Sequence, residues 1–327
     1  MEHETESYIL LEFFCNVSFT DGKLKFKTSV KDMMTNFELA GELECVWQVR
    51  ATCGEGPLWI EAEQSLYFVD IDGKTLHCYG EKTGAQRSWE LEEKTGWILP
   101  RSNHEGFVAG CQSGVYFLDK CFRKRTFVMV PDPDQAENRF NDAKCDRDGR
   151  IWAGRSHDPE TRPTGYLYRI DADLSQSRWD GPYICPNGPA ISPDERTLYH
   201  VDTFEGTIWA FDKHSDGTLS NRREFTRLDR QKEGSPDGLT VDNENRVWLA
   251  HWGGARVTCF SPEGNRIGFI QLPVPQITSC AFGGPDLSSL YITSAARNLD
   301  FNVFPLAGAL FRVQTKTTGF ASPCFGG

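Results

Sequence analysis

The chain has 327 residues, is 39% hydrophobic and carries a formal net charge of -11, with a pI near 5.2. That length can bury a large core, as one large all-β domain or two ordinary ones. The acidic balance, with no Lys/Arg cluster, excludes nucleic acid and anionic membrane as partners, because a phosphate backbone needs a basic face to displace its counterions.

Taken from the start, Tyr8 to Phe19 is apolar but holds Glu12 and follows the acidic MEHETE. It is too short to span a membrane and wrongly charged for a signal peptide. Met33 and Met34 stand ahead of a stretch that reads like a normal beginning. Residues 1–33 are therefore expected to be a peripheral extension, and residues 34–327 a single domain. The eleven cysteines are scattered and never spaced CxxC. They read as reduced buried thiols of a cytoplasmic protein, not as disulfides or a zinc site.

From Leu66 onward one unit recurs. A second-strand signature appears at Leu66-Tyr67-Phe68, Gly106-Phe107-Val108, Arg150-Ile151-Trp152, Thr197-Leu198-Tyr199, Arg246-Val247-Trp248 and Ser289-Leu290-Tyr291, with starts 40 to 49 residues apart. A third strand follows a Gly-bearing turn in most copies, as at Thr207 to Phe211 and Arg256 to Phe260. This is the period of four-stranded propeller blades, and two stacked β-sandwiches would not predict it. The spacing predicts an all-β, six-bladed β-propeller. The last blade lacks a fourth strand after Val313, and Leu43 to Val49 is a spare strand ahead of the first blade. Their pairing would close the ring and remove exposed sheet edges.

First strands line the axis of such a ring, so the residues entering them converge at one mouth. Four entries are polar: Glu55, Asn141-Asp142, Asn187 and Asp237, each 9 to 11 residues ahead of its second strand. Singly, each belongs to a common turn sequence. In register on four blades, two carboxylates and a carboxamide oxygen make a hard oxygen site for a divalent cation, with positions left for water and substrate.

The stretches Cys53-Gly54-Glu55-Gly56-Pro57-Leu58-Trp59, Asn138-Arg139-Phe140-Asn141-Asp142, Asp148-Gly149-Arg150-Ile151-Trp152-Ala153-Gly154, Pro186-Asn187-Gly188, Ser235-Pro236-Asp237-Gly238-Leu239 and Cys280-Ala281-Phe282-Gly283-Gly284 resemble the senescence-marker-protein, gluconolactonase and regucalcin family. The resemblance runs from about Leu43 to Val313. It leans toward bacterial sugar-acid lactonases of the xylonolactonase and arabinolactonase type. It implies one divalent metal ion (calcium, zinc, manganese or ferrous iron) held by Glu55, Asn187 and Asp237, with Arg139, Asn141 and Glu55 against the substrate. It further implies hydrolysis of a sugar lactone. Asp237, a carboxylate on the metal that can also reach the attacking water, is the candidate catalytic base, and the chain is expected to be a monomer or weak homo-oligomer. A gluconolactonase, or a calcium-binding regulatory protein without dedicated lactonase work, is the alternative. One departure stands out: Gly154-Arg155-Ser156-His157 replaces the Gly-Thr-Met of relatives, and Arg155 is expected to reach a sugar hydroxyl or to face solvent. Other chemistries lack their motifs, with no GxSxG, HExxH, GxGxxG or GxxxxGK[ST] in the chain. Cys53 has no partner histidine in view and reads as a small buried thiol.

Overall fold

Residues 54–60, 65–70, 75–80 and 86–90 each run extended and then reverse at a short turn, and this meander is repeated around an axis. The computed structural model describes residues 39–102, 106–122 and 125–327, together with the backbone of 17–20 and 23–26. Of the expected extension, only a two-stranded hairpin (β1 Val17–Thr20, β2 Lys23–Phe26) is described, and the rest of residues 1–33 lies outside the described residues. After β3 (Glu44–Trp47), the first sheet comprises β4 (Gly54–Ile60), β5 (Ser65–Asp70), β6 (Thr75–Gly80) and β7 (Gln86–Glu90). The second holds β8 (Thr95–Pro100), β9 (Phe107–Cys111), β10 (Val115–Leu118) and β11 (Arg125–Met129). The third holds β12 (Asn138–Cys145), β13 (Ile151–His157), β14 (Gly165–Ile170) and β15 (Gln176–Tyr183). The fourth holds β16 (Pro186–Ile191), β17 (Thr197–Asp202), β18 (Thr207–Lys213) and β19 (Leu219–Arg227). The fifth holds β20 (Ser235–Val241), β21 (Val247–Trp252), β22 (Arg256–Phe260) and β23 (Arg266–Gln271).

The sixth sheet is built from both ends of the domain. It runs β24 (Ile277–Gly283), β25 (Ser289–Ser294), β26 (Leu310–Gln314) and then β3, whose Cys45 pairs with Phe311 and Glu44 with Arg312. The spare strand expected from the sequence thus closes a six-bladed β-propeller. First strands pack β4 on β8, β8 on β12, β12 on β16, β16 on β20, β20 on β24, and β24 back on β4.

Burial follows position in the sheet. First and second strands are almost wholly buried, and their Leu, Val, Ile and aromatic side chains fill the space between blades. Outermost strands such as β7 and β19 are largely exposed and carry Arg, Glu, Gln and Asn, charges that discourage pairing with another edge. The recurring Asp-x-x-x-Arg-x-Trp has a shared role. Asp146 Oδ2 accepts from Trp152 Nε1 at 3.1 Å, and Asp242 Oδ2 from Trp248 Nε1 at 3.0 Å. Each carboxylate also takes the Arg backbone N–H of the next strand at 2.9 Å, so it pins the turn between first and second strands.

The C-terminal tail crosses the face where the first strands end. Asn243 N donates to Thr318 O, Phe325 N to Pro100 O and Gly326 N to Gly149 O, which ties it to the fifth, second and third sheets. Gly319, Phe320 and Pro323 cover a small cavity whose walls include Leu58, Lys144, Ala190 and Thr240. The tail thus lies over that end of the axis, and the opposite end holds the polar entries.

Candidate active site

Each of the four polar entries sits where its first strand bulges. Pairing with the second strand shifts register between Glu55 and Leu58, Phe140 and Ala143, Asn187 and Ala190, and Pro236 and Leu239. An extra residue in a strand re-aims a side chain and sharpens the local twist, and here it occurs at equivalent points of β4, β12, β16 and β20. Gly56 (φ 55) and Gly188 (φ 71) make the left-handed step after Glu55 and Asn187, a conformation that a side chain would strain.

The result is a polar cavity of about 170 Å³ whose walls include Glu55, Arg139, Asn141, Asn187 and Asp237. All five predicted residues are therefore brought together, each 6% exposed or less. Asn141 Nδ2 donates to Asn187 Oδ1 at 2.8 Å and to Pro186 O at 2.9 Å. Asn187 Nδ2 donates to Thr203 Oγ1 at 2.9 Å, which fixes the amide orientation and leaves one lone pair of Oδ1 open. Arg139 Nη1 donates to Asn141 Oδ1 at 2.6 Å. Glu55 Oε2 accepts from Gly56 N at 2.9 Å.

The carboxylates are crowded. Burial, then the charge of Asp142, pushes the Glu55 carboxyl up to about 8. Burial, then the charge of Glu55, holds Asp237 well above the usual carboxylate range. Asp142 Oδ2 is buried without a hydrogen-bond partner. Acids confined in this way are relieved by a cation, and two carboxylates with an amide oxygen are a donor set for a hard divalent ion. Among the described residues no three His, Cys, Asp or Glu side chains are grouped to hold a metal. The candidate set of Glu55, Asn187 and Asp237 contains only two of those types and depends on the amide.

Several residues in the wall, and some behind it, were not foreseen. Glu160 Oε1 accepts from Arg139 Nη2 at 3.2 Å, and Asp158 Oδ1 from Arg139 Nε at 2.8 Å. Lys94 bridges Asp158 at 2.9 Å and Asp72 at 3.1 Å, and Asp72 in turn accepts from Arg297 Nε at 2.9 Å. Thr203, Phe204, Trp252 and Arg297 also line the cavity. Most of these lie at or just past the end of a second strand, before the third begins, so the register argument used for first strands would have found them had it been carried one turn further.

Arg155 corrects the sequence expectation. It reaches neither solvent nor the cavity: it is 1% exposed, its Nε lies 2.5 Å from Asp132 Oδ1, and its guanidinium stands 5.1 Å from the Phe140 ring centre. It is a buried structural ion pair. Cys53 and Cys185 also line the cavity, and burial pushes both thiols far up, so neither supplies a thiolate nucleophile at neutral pH.

Residues 53–296 match the family model described as the SMP-30/Gluconolactonase/LRE-like region. The chain belongs to this family. A family member from Pseudomonas putida, 6-deoxy-6-sulfogluconolactonase, is 35% identical over 289 residues, covering 87% of this chain and 99% of its own. Regucalcin of Danio rerio is 35% identical over 281 residues, covering 83% and 94%. The solved structure of a calcium-binding protein, regucalcin from Agrobacterium tumefaciens, superposes with a TM-score of 0.82 at 25% identity, covering 88% of this chain and 98% of the other. Among the described residues no helix is long and apolar enough to cross a membrane.

Proposed function

We propose that this protein hydrolyses a sugar aldonolactone to the aldonic acid with the help of one divalent cation. The observation that carries the reading is the meeting of Glu55, Asn187 and Asp237 in one polar cavity, beside Arg139 and Asn141. The 6-deoxy-6-sulfogluconolactonase relative supports a lactone substrate, and the regucalcin relatives support a cation.

Glu55, Asn187 and Asp237 would hold the cation. When bound, it supplies a Lewis acid for the lactone carbonyl. Asp237 takes a proton from the water that attacks the carbonyl carbon, and the ring oxygen leaves as an alcohol carrying that proton. Arg139 and Asn141 hold ring hydroxyls: a forked donor and an amide suit vicinal oxygens, and their mutual hydrogen bond fixes both before substrate arrives. Trp252 and Phe204 give the cavity aromatic walls that exclude water from the C–H face of the ring.

The pentonolactones expected from the sequence and gluconolactone suit this cavity equally, so one assay addresses both. Metal-stripped protein is reloaded with calcium, zinc, manganese or ferrous iron and tested for acid release from xylono-, arabinono- and gluconolactone. The reading requires release with at least one pair. Silence across the whole grid removes it and leaves a cation-binding regulatory protein, which the same reloading would register as binding alone.

A further inference from the structure

The charges of the cavity balance almost everywhere. Arg139 is met by Asp158 and Glu160, Arg297 by Asp72, and Lys94 by both aspartates. Glu55 and Asp237 are the acids that a divalent cation would neutralise. One wall residue stands outside this balance. Arg230 lines the cavity, yet among the described residues no carboxylate pairs with it. The neighbouring Asp229 is taken by Lys232 at 2.8 Å.

Neutral groups hold the Arg230 guanidinium in place. Nε donates to Ser235 Oγ at 3.0 Å, Nη1 donates to the backbone oxygen of Phe204, and the group stands 5.3 Å from the centre of the Phe204 ring. The stem passes Gly206, where a Cβ would come within 3.0 Å of Arg230 Cγ. A cation held in this way, with no partner to Nη2 and no competing acid among the described residues, is a prepared fork for an oxyanion: little side-chain freedom is lost on binding.

We propose that Arg230 selects lactones bearing an anionic substituent, a carboxylate, sulfonate or phosphate, remote from the carbonyl. The inference rests on the lactonase reading for its substrate class. A neutral sugar lactone would leave Arg230 with water as its only counterpart. An anionic one would complete the charge balance of the wall: Arg230 is exposed at the rim of the cavity, where its fork would meet the oxyanion through charge-assisted hydrogen bonds.

The test compares gluconolactone with 6-phosphogluconolactone and with a glucarolactone, using wild type, Arg230→Gln and Arg230→Lys. Wild type is expected to favour the anionic lactones in kcat/KM. In Arg230→Gln the ratio of anionic to neutral kcat/KM should fall roughly tenfold or more, chiefly through KM, and Lys should restore part of it. Raising salt should erode the preference. The phosphate and carboxylate arms tell which oxyanion fits. A wild type that prefers the neutral lactone, or a variant that lowers all substrates alike, overturns the inference. If wild type opens no lactone, the lactonase reading fails by itself. Calorimetric binding of 6-phosphogluconate against gluconate, in wild type and Arg230→Gln, then decides the role of Arg230 on the same criterion.

Discussion

Asn141 of the third blade donates a 2.8 Å hydrogen bond to Oδ1 of Asn187 in the fourth, and Thr203 accepts from the other end of the same amide at 2.9 Å. The amide oxygen is therefore fixed toward the cavity before any ligand arrives. Thr203→Val removes the acceptor and leaves the amide held only by Asn141 and a weak 3.6 Å contact to Cys185 Sγ. Cation affinity should fall about 10- to 100-fold, as is usual when a supporting hydrogen bond to a metal ligand is lost. Titration calorimetry with manganese checks this, and an unchanged Kd would show that the amide needs no support.

Cation binding should also depend on pH. Without a cation, Glu55 titrates near 8 and Asp237 is raised as well. Protons then compete with the metal, and affinity weakens progressively as pH falls below about 8. Binding at pH 7 should release protons, measurable as a heat that varies with the ionisation enthalpy of the buffer. Glu55→Gln should reduce both the release and the affinity, whereas a pH-independent Kd from 6 to 9 would falsify this account.

Three buried histidines couple folding to pH. Burial lowers His77, His200 and His251 from 6.5 to about 4. Their folded-state pKa is depressed, so between about 4 and 6.5 these three sites bind more protons in the unfolded chain, and their contribution to stability declines as pH falls through that window. A tenfold difference in proton affinity between folded and unfolded chain is worth ~1.4 kcal/mol. Glu55 and Asp237, raised in the fold, act in the opposite sense over the same range, so the test is a difference: in urea denaturation at pH 7.5, 6 and 5, the stability of His200→Phe relative to wild type should rise as pH falls, and a pH-independent difference would remove the account.

Lys94 acts on the cavity at one remove. It ties Asp158, which orients Arg139, to Asp72, which orients Arg297. Lys94→Met leaves two half-buried aspartates short of a partner and lets both guanidinium groups drift. We expect KM to rise roughly tenfold with a smaller change in kcat, the sign of lost ground-state positioning. Recovery in Lys94→Arg would separate this from a general loss of folding.

Phe325 is fully buried beneath the second and third blades. Phe325→Ala should cost about 3 to 5 kcal/mol, the usual range for emptying a buried aromatic site. Chemical denaturation measures it, and a midpoint equal to wild type would show that the tail only rests on the ring.

Much of this architecture was legible because the repeat is written in the chain. Second strands recur at a near-constant period, and Gly56, Gly188 and Gly238 follow the polar entries. The wall residues Glu160, Thr203 and Arg297 escaped notice because single polar residues in turns look like ordinary solvated loop. Arg155 misled for a different reason. It sits one residue from Ser156 on β13, and side chains alternate across a strand, so its pairing opposite Phe140 turns it toward Asp132 and away from the cavity. Nothing in its neighbours along the sequence reveals that turn.

Closure of the sixth sheet has a kinetic corollary. Glu44 and Arg312, ion partners across the seam, are 268 residues apart. At a synthesis rate of about 5–20 residues per second, β3 waits roughly 10 to 50 s on the ribosome before its mate exists. During that interval five sheets can assemble while the last gap stays open, with bare backbone amides on both lips. The protein's greatest exposure to aggregation and to chaperones therefore belongs to its birth, in the seconds before the two lips meet.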